Sequence, residues 1–476
     1  MTDSLSQTLP THKEPGGIGH DHVDADYFSH RQLRQGAAGW LLLVGLGVAY
    51  VISGDYAGWN FGLKTGGWGG LALASVLMAT MYTCMCFALA ELATIAPTAG
   101  GGYGFARRAF GPWGGFLCGV AILMEYAIAP AAIVTFIGAY CQSLFGIDGW
   151  LVYLVFYAVF LGIHVYGAGE ALRLIFAVTA LAVVALAVFV VVMAAHVRLT
   201  NLFDIPPTHA LGASAFLPYG YMGIWAAIPY AIWFFLAVEG VPLAAEEAND
   251  PKRDLPRGLI GAILLLVLFC ALILVVCVGA AGAAELTSAG NPLVAALSLL
   301  RNQSVPAWVA GFVNLVGLAG LIASFFSIIY GYSRLVFAMS RAGYLPRVLS
   351  LTSARKTPVV ALIVPGLTGF VLSLTRQGDL LILVAVFGAT ISYVMMMAAH
   401  IRLRISEPDL ARPYRTPGGI WTSGVALLLA CLAVVAGFLV DTRVLAGAVI
   451  VYAVFVAYFA IYSRHHLVAE APGEGD

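Results

Sequence analysis

Four carboxylates stand inside otherwise apolar stretches of this chain: Asp55, Glu91, Glu125 and Glu239. An ionised side chain in a nonpolar interior is costly unless it is paired, protonated or bound to a cation. No Lys or Arg shares the middle of these stretches, so the pattern points to a cationic ligand or to carboxyls that hold protons. Aromatic rings adjoin them along the chain: Tyr56 and Trp59 after Asp55, Tyr126 after Glu125, and Tyr230, Trp233, Phe234 and Phe235 before Glu239. A ring face attracts an ammonium by about 0.5–2 kcal/mol. Rings of this kind also close cavities, pack helices or anchor them at the membrane interface. Glu239, set among apolar neighbours, is the candidate for proton coupling, because a carboxyl there can take up and release a proton as its exposure changes.

Catalytic chemistry finds no matching set. Gly100-Gly101-Gly102-Tyr103-Gly104 imitates a phosphate loop, but no strand precedes it and no GK[ST] follows. His164 and His400 are isolated near the ends of apolar stretches, and no nucleophile triad or HExxH lies within them. Cys84, Cys86, Cys118, Cys141, Cys270, Cys277 and Cys431 fit no zinc or CxxC spacing and read as small core residues. His20-x-His22 sits in a polar leader with His12 and His30. That leader lacks the apolar core and cleavage site of a secretory signal and reads as a disordered tail. No enzyme, cofactor or metal is expected.

These residues need a framework that can hold charge away from water. The 476 residues are 61% hydrophobic and 10% charged, with mean hydropathy +0.92. A soluble domain carries about 25% charged residues, so this chain cannot cover itself with polar surface. Lys+Arg and Asp+Glu balance at 24 each, which gives nucleic acid nothing to bind. A spanning helix takes roughly 20 apolar residues. About twelve fit, near 38–62, 68–95, 113–141, 150–167, 172–197, 222–246, 258–284, 306–338, 358–375, 379–401, 421–440 and 443–463. The expected class is therefore an all-α integral membrane protein, with a polar tail at 1–37, one membrane domain at 38–464 and a second tail at 465–476.

Basic residues orient it. With the N-terminus in the cytoplasm, only Lys64, Arg198, Arg301, Arg376 and Arg443 of the 24 Lys and Arg fall outside. The positive-inside bias then places both termini in the cytoplasm and the chain in the cytoplasmic membrane. Spans 1 and 6 are interrupted alike, by Ser53-Gly54-Asp55 with Gly58 and Asn60, and by Trp233 through Gly240 with Pro242 following. Broken helices opening each five-helix half suggest inverted repeats around a midplane site.

Three segments then resemble one family. They are Pro97-Thr98-Ala99-Gly100-Gly101-Gly102-Tyr103 with Phe110-Gly111-Pro112, Glu246-Glu247 with Asn249-Asp250-Pro251-Lys252-Arg253 and Pro256-Arg257-Gly258, and Arg334 with Ser340-Arg341-Ala342-Gly343-Tyr344-Leu345-Pro346. They resemble the amino acid–polyamine–organocation transporters across residues 38–464. The resemblance implies the fold of the sodium-coupled leucine transporter, a five-plus-five inverted repeat with two further helices, broken in helices 1 and 6. It also implies a secondary transporter working by alternating access.

Family members usually break helix 1 at Gly-Ser-Gly, whose amides bind a substrate carboxylate. Here Ile52-Ser53-Gly54-Asp55 adds bulk and negative charge at that seat, which argues against a carboxylate ligand. The stretch Ser53 to Gly62 and Glu125-Tyr126-Ala127-Ile128-Ala129-Pro130 resemble the ethanolamine permease branch. Ethanolamine has an ammonium and a hydroxyl but no carboxylate, which suits carboxylates beside a serine. The expected substrate site is then Ser53, Gly54, Asp55, Glu125, Tyr126, Trp233 and Phe235. The resemblance adds a gating role for Trp233 and a pH-linked one for Glu239. An amino-acid or polyamine permease of the same fold is the alternative, and a channel or membrane enzyme lacks its filter or its catalytic set. Coupling is open between proton and sodium. Span 5 has no Lys to replace sodium, and Ser324 and Ser327 in span 8 are possible sodium ligands.

Overall fold

The computed structural model describes residues 12–14, 18–33, 36, 38–166, 168–300, 307–440, 442–469 and 471. Apolar runs of this length become helices because a bilayer leaves backbone N–H and C=O groups only one another as partners. Among the described residues, nine helices are long and apolar enough to cross a membrane. Three shorter apolar ones, Trp40–Val51, Trp150–Tyr166 and Val359–Ser373, complete the expected twelve.

The halves repeat one another in kind. Helix 1 (Trp40–Val51 with the turn Ser53–Tyr56) and helix 6 (Gly220–Trp233, then the 3-10 segment Val238–Glu247) are both broken. Helix 2 (Phe61–Ile95) and helix 7 (Pro251–Ala281) are long, as are helix 3 (Gly102–Phe145) and helix 8 (Ala307–Arg341). Helix 4 (Trp150–Tyr166) and helix 9 (Val359–Ser373) are short. Helix 5 (Ala168–Ala194) and helix 10 (Gly378–Ser406) close each half. Five crossings are an odd number, so the second half enters from the opposite face, as an inverted repeat requires. Helix 11 (Ile420–Val440) and helix 12 (Thr442–Ile461) follow. Helix 3 packs against helices 8 and 10, helix 2 against helix 6, and helix 1 against helix 7.

Within the expected interruption of helix 1, from Ser53 to Asn60, the chain turns at its later part. Ser53–Tyr56 keeps a helical turn, and the chain leaves the helix at Ala57 and Gly58, which has φ +93°. Only glycine takes that conformation without strain. Helix 3 also starts earlier than 113, because a short arm from Gly102 bends into it at Gly111, φ 76°.

The polar leader is not free chain where it is described. His12–Glu14 pairs antiparallel with Ile18–Asp21, which in turn pairs in parallel with Leu467–Val468 near the C-terminus. These are the strands among the described residues, and they put the segments 12–21 and 467–468 on one face, the terminal face below. Arg34 and Arg301, counted in the charge bias, lie outside the described residues, as do residues 1–11 and 472–476.

Candidate functional site

The two breaks meet. A Cβ on Gly54 would stand 2.3 Å from the carbonyl oxygen of Trp233, so the backbones of helices 1 and 6 touch there. The Trp233 indole Nε1 donates to the Ala57 carbonyl at 2.9 Å, and Trp59 stacks on Phe234 with centroids 5.8 Å apart. Gly54→Ala forces backbone against backbone and is expected to cost about 1–3 kcal/mol, the usual penalty of overpacking. The purified variant should melt at lower temperature while keeping its helical circular dichroism; an unchanged midpoint would mean the helices do not touch.

Unwinding frees carbonyls that must find donors. Tyr126 OH donates to Ala237 O at 3.0 Å, and Ala237 itself is left-handed at φ 76°. Tyr140 OH donates to Tyr56 O at 3.2 Å. Asn60 Nδ2 donates to Leu286 O and Ala289 O at 2.7 and 2.9 Å. Tyr126 and Trp233 thus hold the breaks in shape.

The four carboxylates separate into three environments. Glu125 of helix 3 and Glu239 of helix 6 face one another and the Tyr393 hydroxyl of helix 10. All four oxygens are buried without a hydrogen bond of good geometry. Tyr393 accepts a hydrogen bond from Tyr82 OH of helix 2 at 2.8 Å, and the Tyr82 ring lies 5.4 Å from Phe235. Helices 2, 3, 6 and 10 therefore enclose a pair of acids between rings. Asp55 is also wholly buried with both oxygens unpartnered, but it lies near Cys270 of helix 7 and does not join that pair. Ser53 points elsewhere again, its Oγ 2.8 Å from that of Ser324.

Glu91 departs from the sequence expectation. Arg404 Nε donates to it at 2.8 Å and Arg404 Nη2 binds its other oxygen. Arg412 Nε stands 3.0 Å away, His400 Nε2 3.4 Å, and Thr416 N donates at 2.7 Å. Helix 10 and the chain after it bring in charges distant in sequence, so this carboxylate is a clamp between helices 2 and 10 and no ligand seat.

Sequence reading missed Tyr82 and Tyr393, because an isolated tyrosine in an apolar span carries no local signal. It also missed two ion pairs on the terminal face. Arg334 Nη2 meets Glu247 Oε1 at 2.8 Å, with Tyr330 OH on the other oxygen. Arg341 meets Glu246 at 2.5 Å. The signal was present in Arg334, which lies inside span 8 although it was counted with the loop charges. Ser324 Oγ donates to Tyr50 O at 2.8 Å and Ser327 Oγ to Ser324 O at 3.0 Å, as in ordinary helix packing.

Residues 42–461 match the family model described as amino acid permease. The chain belongs to the amino acid permease family. The branched-chain amino acid permease of Bacillus subtilis is 27% identical, over 90% of this chain and 92% of its own. The methylthioribose transporter of the same organism is 26% identical, over 79% and 81%. The aromatic amino acid transport protein of Escherichia coli is 24% identical, over 78% and 82%. A permease of this family is a multi-pass membrane transporter and not an enzyme.

Trp233 is 2% exposed, and its indole ties the helix 6 break to the helix 1 break. Trp233→Leu should fold and reach the membrane yet transport at a small fraction of the wild-type rate. Normal transport by that variant would return Trp233 to a packing role.

Proposed function

We propose that this permease imports ethanolamine, or a close amino alcohol, across the cytoplasmic membrane by alternating access, with both termini in the cytoplasm. One observation carries the reading. Among the described residues, Glu125 and Glu239 are buried together without a basic partner, whereas Glu91, Glu246 and Glu247 each hold an arginine. A site of that charge favours an ammonium or a proton, and the rings of Tyr82, Tyr126 and Phe235 beside it suit a small cation. In this reading Glu125 takes the ammonium, Glu239 links transport to protons, and Trp233 closes the cavity. Asp55, Ser53 and Gly54 complete the substrate site from helix 1. Asp55 sits apart from the acid pair here and would approach the ligand once helix 1 moves.

An amino acid is the second reading, favoured by the names of the branched-chain and aromatic relatives. An amino acid also needs a seat for its carboxylate, next to which this chain carries Asp55. The methylthioribose relative names a substrate that is no amino acid.

The test is uptake of labelled ethanolamine into proteoliposomes under imposed proton and sodium gradients, with choline, alanine, serine, leucine and putrescine as competitors. Ethanolamine should accumulate, and the free amino acids should compete poorly. Stronger competition by leucine or alanine than by unlabelled ethanolamine would transfer the function to amino acids.

A further inference from the structure

The leader segment 18–33 grips three parts of the chain: the end of helix 8, the link between helices 8 and 9, and the C-terminal strand. Asp21 Oδ2 meets Arg347 Nη2 at 2.5 Å and His466 Nδ1 at 3.4 Å, and the strand Ile18–Asp21 is paired with Leu467–Val468. The C-terminal strand is itself fastened to the end of helix 8 by Val468 N donating to Ala342 O at 3.0 Å. Arg31 Nε donates to Ser350 Oγ at 2.9 Å, and His30 O accepts Thr352 Oγ1 at 2.8 Å, both in the link between helices 8 and 9. Tyr27 OH donates to Arg341 O at 2.9 Å. That arginine is the one whose guanidinium holds Glu246, and Glu246 Oε1 also accepts Ala99 N at 3.0 Å. Beyond the segment, Ala38 N donates to Glu247 O at 3.0 Å and Ala38 O accepts Asn249 N at 2.9 Å.

Between this segment and the bundle lies a cavity of about 1160 Å³, lined in part by Phe28, Arg31, Leu33, Thr98, Ala245 and Arg341. It opens beside the Glu246–Arg341 pair. We propose that residues 18–33, pinned by the C-terminal strand, form a releasable strap that keeps this pair closed over the cavity, so that lifting the strap is a step in opening the terminal face. The two termini act as one device, since the strand of one fastens the strand of the other. Three features give the strap this character. Its grips are hydrogen bonds and ion pairs of modest strength, and the Asp21–Arg347 pair is open to solvent on the arginine side, at 33% exposure against 7% for Asp21. The grips fall on the end of helix 8, on the link after it and on the C-terminal strand, and Tyr27 holds the backbone of the arginine whose guanidinium binds Glu246 of helix 6. Ala245 beneath it is only 1% exposed.

A reporter for opening is Ala245→Cys in the full-length chain in nanodiscs, labelled by a bulky polar maleimide. The seven native cysteines set a background, measured in the chain without the reporter. Asp21→Asn with Tyr27→Phe removes two grips while keeping side-chain size. The strap predicts labelling about threefold to tenfold faster than in the parent, as expected for the loss of one screened ion pair and one hydrogen bond. It also predicts that raised salt brings the parent toward the variant, because salt screens the Asp21–Arg347 pair. Tyr27→Phe alone, one hydroxyl smaller, gives the same reading with a smaller increase should the double variant not purify. Labelling within twofold of the parent in both variants, in protein with the parent's melting temperature, overturns the proposal. The readout needs no substrate, so it stands or falls apart from the ethanolamine reading.

Discussion

Glu247→Ala should be the most destabilising of the substitutions considered, at about 3–5 kcal/mol. The pair it breaks is 1% exposed on both sides, with Arg334 Nη2 at 2.8 Å from Glu247 Oε1. Removing the carboxylate leaves a guanidinium buried without its counter-charge, and breaking a buried pair carries that penalty. A domain has roughly 5–15 kcal/mol in total, so little folded Glu247→Ala should survive purification. The effect belongs to the stranded charge and not to the bond alone, which sets a second expectation. Glu247→Leu combined with Arg334→Leu should recover most of the loss, because replacing both partners by apolar groups is often neutral. Melting temperatures of the single and double variants check both. A double variant as unstable as Glu247→Ala would mean the pair does more than balance its own burial.

The second large effect falls on ligand binding. Glu125→Gln keeps the shape of the side chain and removes its charge. A hydrogen bond to a charged group is worth about 1.5–3 kcal/mol, and 1.4 kcal/mol is a factor of ten in affinity. Ethanolamine binding should weaken by roughly 10–150-fold. Glu239→Gln separates the roles of the two acids. It should keep substrate binding and lose the variation of uptake with pH, since glutamine cannot carry a proton on and off. Affinity within twofold of wild type in Glu125→Gln would remove the ammonium role from that residue. Superimposable pH profiles for wild type and Glu239→Gln, after scaling for expression, would return Glu239 to a structural part at the helix 6 break.

Much of the fold was legible because its information is local. Charge-poor runs of about twenty residues give the spans, and Gly240 with Pro242 marks the interrupted part of helix 6. The interruption of helix 1 was legible from Ser53 to Asn60, but not which glycine does what: glycine at 54 serves close contact with Trp233 and glycine at 58 serves the turn, and both look alike in sequence. The site was legible as a set of residue types and not as a geometry. Asp55, Glu125 and Glu239 look equivalent when read along the chain, yet Asp55 lies near Cys270 and the other two beside Tyr393. Glu91 appeared unpaired because its partners, Arg404 and Arg412, lie more than 300 residues away in sequence. The same distance hid the strap, whose strands come from opposite ends of the chain.

Equilibrium binding of labelled ethanolamine to the purified permease tests the central claim most directly, because it needs no gradient, orientation or turnover. Unlabelled ethanolamine should displace the label at the lowest concentration, alanine and leucine should displace it poorly, and the Glu125→Gln protein should lose most of the signal. Displacement by leucine or alanine at lower concentration than ethanolamine, or full binding by Glu125→Gln, would contradict an acid pair built to receive an ammonium.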